Sequence, residues 1–358
     1  MNISYFVSSH GFGHAARACA VIEKLSTLTD TNLIIFSETP KWFFDNSLRI
    51  DFEYYSIRTD VGLVQRSPLV EDLEKTLLEL EDFYPFDEIT TYDIEKVLVN
   101  KKIDLIVCDI SPLGLYLANK LRIDSILIEN FTWDWIYSFY LDKFPALRKY
   151  INAFKEIFQM ATVHFTCEPY CHISPPCLIT TPIFREARKP KNKILNLLGC
   201  SPEDNLILIS MGGIPIENLE FDNFQPKSNL KFLIPVNNLS QIRLNDSVIY
   251  LPHNHNFFHP DLVNASSLVV GKVGYSTISE VYSTTKPFLF VGRKNFPESE
   301  ILETYIQNHL ISDRFEFDEI FSENWFSKIE KLINRRNPFQ KPENGANLIT
   351  SFIKQNYL

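Results

Sequence analysis

The stretch Val269-Val270-Gly271-Lys272-Val273-Gly274-Tyr275-Ser276-Thr277-Ile278-Ser279-Glu280 decides the fold. An apolar strand runs into a glycine-bounded loop, and the loop opens a helix whose first turn carries Ser276 and Thr277. Open backbone N–H groups at such a helix start, flanked by hydroxyls, form a ready site for a diphosphate; Gly274 and Tyr275 belong to the same turn. Glu280 follows about one helical turn later, where a carboxylate can accept both hydroxyls of a ribose. Taken alone, Glu280 reads as a capping or solvated helix glutamate, and it is the order of the whole segment that argues otherwise.

Around this segment the chain alternates strands and helices. Strand-like apolar runs occupy residues 206–210, 231–236, 247–251 and 287–291 of the second half. The run ending at Ser210 is followed by Met211-Gly212-Gly213. There Gly212 and Gly213 either let the backbone approach a phosphate or sugar or simply make a turn. The first half has strands at residues 3–8, 33–36, 104–108 and 125–129, with helical periodicity at 15–28, 69–83, 91–100 and 114–121. This alternation predicts parallel strands joined by crossover helices, a doubly wound α/β sheet in each half. Residues 180–192 break the rhythm with Pro182 and Pro190 beside the basic cluster Arg185, Arg188, Lys189, Lys191 and Lys193. They read as the inter-domain connection, with anion binding a second reading of the cluster. Residues 344–356 predict a short amphipathic helix.

Ligands of open α/β sheets bind outside the carboxyl ends of the strands, so the loops there carry the chemistry. After the first strand comes Ser8-Ser9-His10-Gly11-Phe12-Gly13-His14-Ala15-Ala16-Arg17. Gly11 and Gly13 allow tight turning, and His14 opens the next helix, where the positive helix end favours the neutral imidazole that suits a general base. A capping loop with two surface histidines is the competing reading. The loop has neither the third glycine of a dinucleotide fingerprint nor the Gly-Lys-Ser/Thr of a Walker loop. Asp109 ends a strand and is expected to orient His14, bind an acceptor or cap the next helix. Trp133 and Trp135, in Asn130-Phe131-Thr132-Trp133-Asp134-Trp135-Ile136-Tyr137, suit either a sugar-stacking wall or core packing. His253, His255 and His259 read as loop histidines near a nucleotide base rather than a metal set, because no acidic partner is interleaved with them.

At 358 residues the chain has room for two ordinary domains. Its net charge of −9 argues against wide nucleic-acid contact, which needs a basic face. No basic leader precedes a long apolar run, so a cytosolic protein is expected, with peripheral membrane contact left open. Six cysteines in such a chain predict reduced thiols. Cys167, Cys171, His172 and Cys177 could ligate zinc, but prolines interrupt them and the spacing is not a paired one.

The three blocks His10-Gly11-Phe12-Gly13-His14-Ala15-x-Arg17, 130–137 and 271–280 resemble a glycosyltransferase-like family related to the N-terminal, non-kinase segment of plant L-arabinokinases. More distantly the chain is similar to the peptidoglycan N-acetylglucosaminyltransferase that makes lipid II and to UDP-sugar glucosyltransferases. The similarity runs from Ile3 to about Ile353. It implies a GT-B fold: two facing Rossmann-like domains with a cleft between them, an N-terminal acceptor domain at 1–182 and a nucleotide-sugar domain at 193–340. The helix in 341–358 would pack near the junction.

By motif position the resemblance makes His14 the base, with Asp109 beside it, and places His10, Gly11, Gly13, Arg17, Asn130, Trp133 and Asp134 on the acceptor side. It places Gly212, Gly213, His253, Gly274, Tyr275, Ser276, Thr277 and Glu280 on the donor, and more loosely Glu298 and Glu300 on the donor sugar. The implied activity is transfer of a sugar, UDP-linked in the first expectation, to an acceptor hydroxyl without metal or cofactor. A non-hydrolysing nucleotide-sugar epimerase and a non-catalytic nucleotide-sugar-binding protein are the alternatives on the same fold.

Overall fold

The computed structural model describes residues 1–67, 70–211, 229–236, 239, 241–245, 247–252, 255–293 and 296–358. It divides into one unit of Met1–Phe184 with Asn344–Leu358 and a second of Arg185–Glu343.

The strands of the first unit are β1 (Asn2–Val7), β2 (Asn32–Phe36), β3 (Glu53–Tyr55), β4 (Gln65–Ser67), β5 (Val70–Glu71), β6 (Leu105–Asp109), β7 (Ser125–Glu129), β8 (Val163–Cys167) and β9 (Leu178–Thr180). Seven of them form one sheet in the order β3-β2-β1-β6-β7-β8-β9, parallel throughout. Ile3 to Val7 are all buried, Ser4 included, as expected of a strand in a parallel sheet covered by helices on both faces. The strand order reverses between β1 and β6, and that reversal opens the crevice where doubly wound sheets hold ligands.

Two boundaries differ from the sequence expectation for physical reasons. The helix expected over 69–83 is Leu73–Phe83, because the Asp72 carboxylate accepts from the Lys75 N–H and caps it there. Val70–Glu71 instead pairs with Gln65–Ser67 as an antiparallel ribbon. The helix after β1 is Phe12–Ser26, starting ahead of Ala15, with Gly11 as its N-cap at φ 73, a left-handed conformation that favours glycine.

The second unit contains β10 (Asn205–Ser210), β11 (Leu230–Val236), β12 (Arg243–Asn245), β13 (Val248–Pro252), β14 (Leu268–Lys272), β15 (Phe288–Val291) and β16 (Ser312–Arg314). Their order is β12-β13-β11-β10-β14-β15-β16, with β12 antiparallel to β13 and the other pairs parallel. Along β10, Leu206 and Leu208 enter one apolar cluster while Ile207 and Ile209 enter another, so both faces are buried with the period of two that a strand imposes. Here the order reverses between β10 and β14.

The C-terminal helix Ala346–Tyr357 packs on Phe12–Ser26 in the first unit. Asn344 pins the return of the chain, donating from Nδ2 to the Phe184 carbonyl at 2.8 Å.

Candidate functional site

In the first unit, a polar network sits where the sheet reverses. Asp109 is the last residue of β6 and is 0% exposed. Its Oδ1 lies 2.8 Å from His14 Nδ1, in the first turn of Phe12–Ser26, and 2.7 Å from Arg17 Nη2. Arg17 Nε donates to Oδ2 at 2.7 Å, and Nη1 donates to Asn130 Oδ1 at 2.7 Å. Burial works against the Asp109 charge, but the Arg17 cation and the His14 hydrogen bond outweigh it and hold the carboxyl below the usual range. An ionised carboxylate only accepts, so His14 Nδ1 carries the proton and Nε2 is a bare acceptor. Arg17 Nη2 also approaches Nδ1 to 3.2 Å, but an Nδ1 that already donates has no lone pair to offer it. Burial outweighs the Asp109 contacts and lowers the His14 pKa below its ordinary 6.5. The result is a neutral imidazole whose Nε2 is unbonded among the described residues, which is the state of a general base.

A second network occupies the reversal in the C-terminal unit. Glu280, in the helix Tyr275–Thr284, receives Arg185 Nε and Nη2 on Oε1 at 2.9 and 2.7 Å. Its Oε2 lies 2.6 Å from His259 Nδ1, and His259 Nε2 lies 3.0 Å from Ser210 Oγ. Ser210 ends β10 and pairs in register with Gly271 of β14. A Cβ on Gly271 would come within 2.4 Å of the Ser210 carbonyl oxygen, so close strand approach requires glycine there. By contrast Gly274 has extended backbone, and among the described residues a Cβ on it would meet no atom within 4 Å beyond its chain neighbours. Lys272, at the end of β14, has its pKa lowered to about 8, by burial first and then by Arg293.

No family model matches the chain. It is 24% identical to L-arabinokinase of Arabidopsis thaliana over 98% of this chain and 34% of that protein. It is 28% identical to the UDP-N-acetylglucosamine–N-acetylmuramyl-(pentapeptide) pyrophosphoryl-undecaprenol N-acetylglucosamine transferase of Clostridium botulinum over 50% of this chain and 55% of that enzyme. The chain therefore spans about a third and about half of the lengths of these relatives. Among solved structures, the calicheamicin glycosyltransferase CalG4 superposes with a TM-score of 0.63 at 12% identity, covering 99% of both chains. The fold is that of the GT-B glycosyltransferases. A putative UDP-N-acetylglucosamine 2-epimerase from Listeria monocytogenes shares it with a TM-score of 0.58 at 13% identity, over 99% of this chain and 96% of that one.

On this GT-B framework the expected acceptor-side residues separate into layers. His14, Asp109, Arg17 and Asn130 form one bonded cluster, but Arg17 and Asn130 are buried and brace Asp109. Trp133 is 0% exposed, so the sugar-stacking expectation gives way to core support. Its ring lies edge-on to His10 at 5.2 Å, and its Nε1 donates to Asp60. Trp135 stacks instead on His172 at 5.8 Å. Gly13 lies in the first turn beside His14. Asp134 lies in the first turn of the short helix Trp133–Ser138, and burial raises its pKa.

Of the residues expected on the donor, Tyr275, Ser276 and Thr277 form the first turn after Gly274. Glu298 is buried at the start of Pro297–His309, and Glu300 is exposed there. Gly212, Gly213 and His253 lie outside the described residues. His255 makes an edge contact with Phe257 at 5.9 Å. Of the basic cluster at 185–193, Arg185 is committed to Glu280, while the Arg188 and Lys189 backbone N–H groups bind Asp261. Among the described residues no group of three or more His, Cys, Asp or Glu side chains is placed to hold a metal ion, and none of the six cysteines is in a disulfide.

Sequence reasoning missed Asp60. The Thr59–Asp60–Val61 segment is buried across the carboxyl end of the first sheet: Thr59 Oγ1 donates to the Val7 carbonyl at 2.9 Å and Ser111 Oγ donates to the Thr59 carbonyl at 3.0 Å. Burial raises the Asp60 pKa to about 7, assisted by the Asp109 and Glu38 charges and opposed by hydrogen bonds from Ser8 and Trp133. An acid in a loop that follows a three-residue strand carries no periodic signal.

Proposed function

We propose that the protein transfers a sugar from a nucleotide-sugar donor, UDP-linked in the first instance, to an acceptor hydroxyl. The carrying observation is His14: a neutral imidazole fixed by Asp109, with Nε2 unbonded among the described residues, at the strand reversal of a GT-B fold. Nε2 takes the proton of the acceptor hydroxyl as its oxygen bonds to the anomeric carbon. The anomeric C–O bond to the diphosphate breaks, and the nucleoside diphosphate leaves with the electron pair. The positive end of the helix Tyr275–Thr284, together with Lys272, stabilises that leaving charge. These groups supply positive potential from the chain itself, so the reaction is written without a metal. The Clostridium relative, by its name an N-acetylglucosamine transferase, supports this reading.

The test is incubation with a panel of nucleotide sugars and no acceptor. Slow release of nucleoside diphosphate supports the transferase. An epimerised sugar supports the alternative suggested by the Listeria neighbour, and binding without turnover supports a sensor.

A further inference from the structure

Asp109 fixes one atom of the His14 ring, Nδ1, and a single hydrogen bond leaves the rest of an imidazole free to swing about it. The direction of Nε2 needs a second constraint, supplied by packing. Two rings provide it. Phe131 lies edge-on to His14 at 5.8 Å, and Trp133 lies 6.4 Å away, tilted by 53°. Phe131 and Trp133 meet each other at 5.3 Å. Whatever holds Trp133 therefore holds the aim of the base.

The buried Trp133 indole can only donate, and its Nε1 donates to Asp60. Asp60 lies on the strap Thr59–Gly62, which is tied down from several elements. Thr59 Oγ1 donates to the Val7 carbonyl, Ser111 Oγ donates to the Thr59 carbonyl, and Tyr137 Oη donates to the Val61 carbonyl. Ser8 also hydrogen-bonds the Asp60 carboxyl, and Ser8 Oγ accepts the His10 N–H at 3.3 Å. A Cβ on Gly62 would run into the His10 ring, so the strap backs that side chain as well. Asp60 thus joins the helix Trp133–Ser138 to the loop that carries His10 and leads into His14. A carboxyl accepts the indole N–H whether or not it is ionised.

We propose that Asp60 is a positioning residue for His14, acting through Trp133 to set the direction of Nε2 without touching donor or acceptor. This rests on the reading of His14 as the base.

The experiment measures nucleoside diphosphate release by the full chain from whichever of UDP-glucose, UDP-N-acetylglucosamine, GDP-mannose and dTDP-glucose it breaks down. Donor dissociation constants come from calorimetric titration. The variants are Asp60→Leu, Asp60→Asn, Trp133→Phe, the double change Asp60→Leu with Trp133→Phe, and His14→Ala. Asp60→Leu keeps the volume and loses both hydrogen bonds; a base displaced by about 1 Å should release diphosphate on the order of a hundredfold more slowly, with the donor dissociation constant within about threefold. Asp60→Asn still accepts from Trp133 and can donate to Ser8, so its rate should stay within about threefold of the unmodified one. Trp133→Phe should also slow release, and the double variant should be no slower than the slower single one, because the two side chains act as a unit. A merely structural role would lower the melting temperature and leave turnover per folded molecule intact. The proposal is overturned if Asp60→Leu works at the unmodified rate, if Asp60→Asn is as slow as Asp60→Leu, or if the Asp60→Leu and Trp133→Phe effects multiply. If Asp60→Leu does not fold, Trp133→Phe decides, and an unmodified rate there overturns the proposal. Fast release by His14→Ala, or no release by the unmodified protein, would overturn the base reading itself. Slow His14→Ala beside fast Asp60→Leu would overturn this proposal alone.

Discussion

His14 Nδ1 lies 2.8 Å from Asp109 Oδ1, and the same carboxylate is gripped through both oxygens by Arg17, three residues along the His14 helix. One anion thus sets the tautomer of the histidine, and one cation keeps that anion charged in a buried place. Because burial lowers the His14 pKa, the acid limb of the pH–rate profile should fall below 6.5. As pH drops through the lowered value the base is protonated and turnover is lost. A rate profile that instead bends well above 6.5 would contradict the neutral-base assignment.

Gly274 separates folding from binding. Its backbone is extended and a Cβ would meet no atom within 4 Å among the described residues beyond its chain neighbours, so Gly274→Ala should leave the melting temperature unchanged within a degree or so. If a diphosphate occupies that space, the same change should weaken nucleotide binding by about tenfold or more. Unchanged affinity would remove the diphosphate from this helix start.

Lys272 supplies a proton readout. Its pKa, lowered to about 8 by burial and by Arg293, should rise when a diphosphate arrives. Binding near pH 8 should therefore take up protons, seen as a binding enthalpy that varies with the ionisation enthalpy of the buffer. Affinity should weaken as pH climbs past about 8, and Lys272→Met should abolish the uptake. Proton release, or none, would contradict the arrangement.

Much of the scaffold was legible because strands buried on both faces are written as unbroken apolar runs; residues 125–129 coincide with β7. β8 was hidden by His164 and Thr166, whose polar side chains bind the buried Glu129 at 2.8 Å each. β3, β9 and β16 span three residues each, too short for any period to register. His14 and Asp109 could be picked out from their places after strands. Their bracing could not, because Arg17 and Asp109 are 92 positions apart and helical spacing says nothing across that distance. Arg185 likewise read as linker charge, yet it meets Glu280 from 95 positions away.

Asp60 ties pH to stability. Its folded pKa of about 7 exceeds the ordinary 3.8, so the folded state holds a proton that the unfolded state releases. Stability therefore falls as pH rises between these values, by at most about 4 kcal/mol if the full shift is expressed. Asp60→Asn keeps an acceptor for Trp133 and cannot ionise. Its melting temperature should gain on that of the unmodified protein as pH goes from about 5 to about 8. A constant difference across that range would show that Asp60 does not titrate there.

The most direct test of the central claim compares donor breakdown by the unmodified protein and by His14→Ala, using the nucleotide sugar found active in the panel and matched for donor affinity. The account predicts that nucleoside diphosphate release falls by two to four orders of magnitude, roughly the worth of a general base, while the donor dissociation constant stays within about threefold. Release at the unmodified rate by His14→Ala would contradict it.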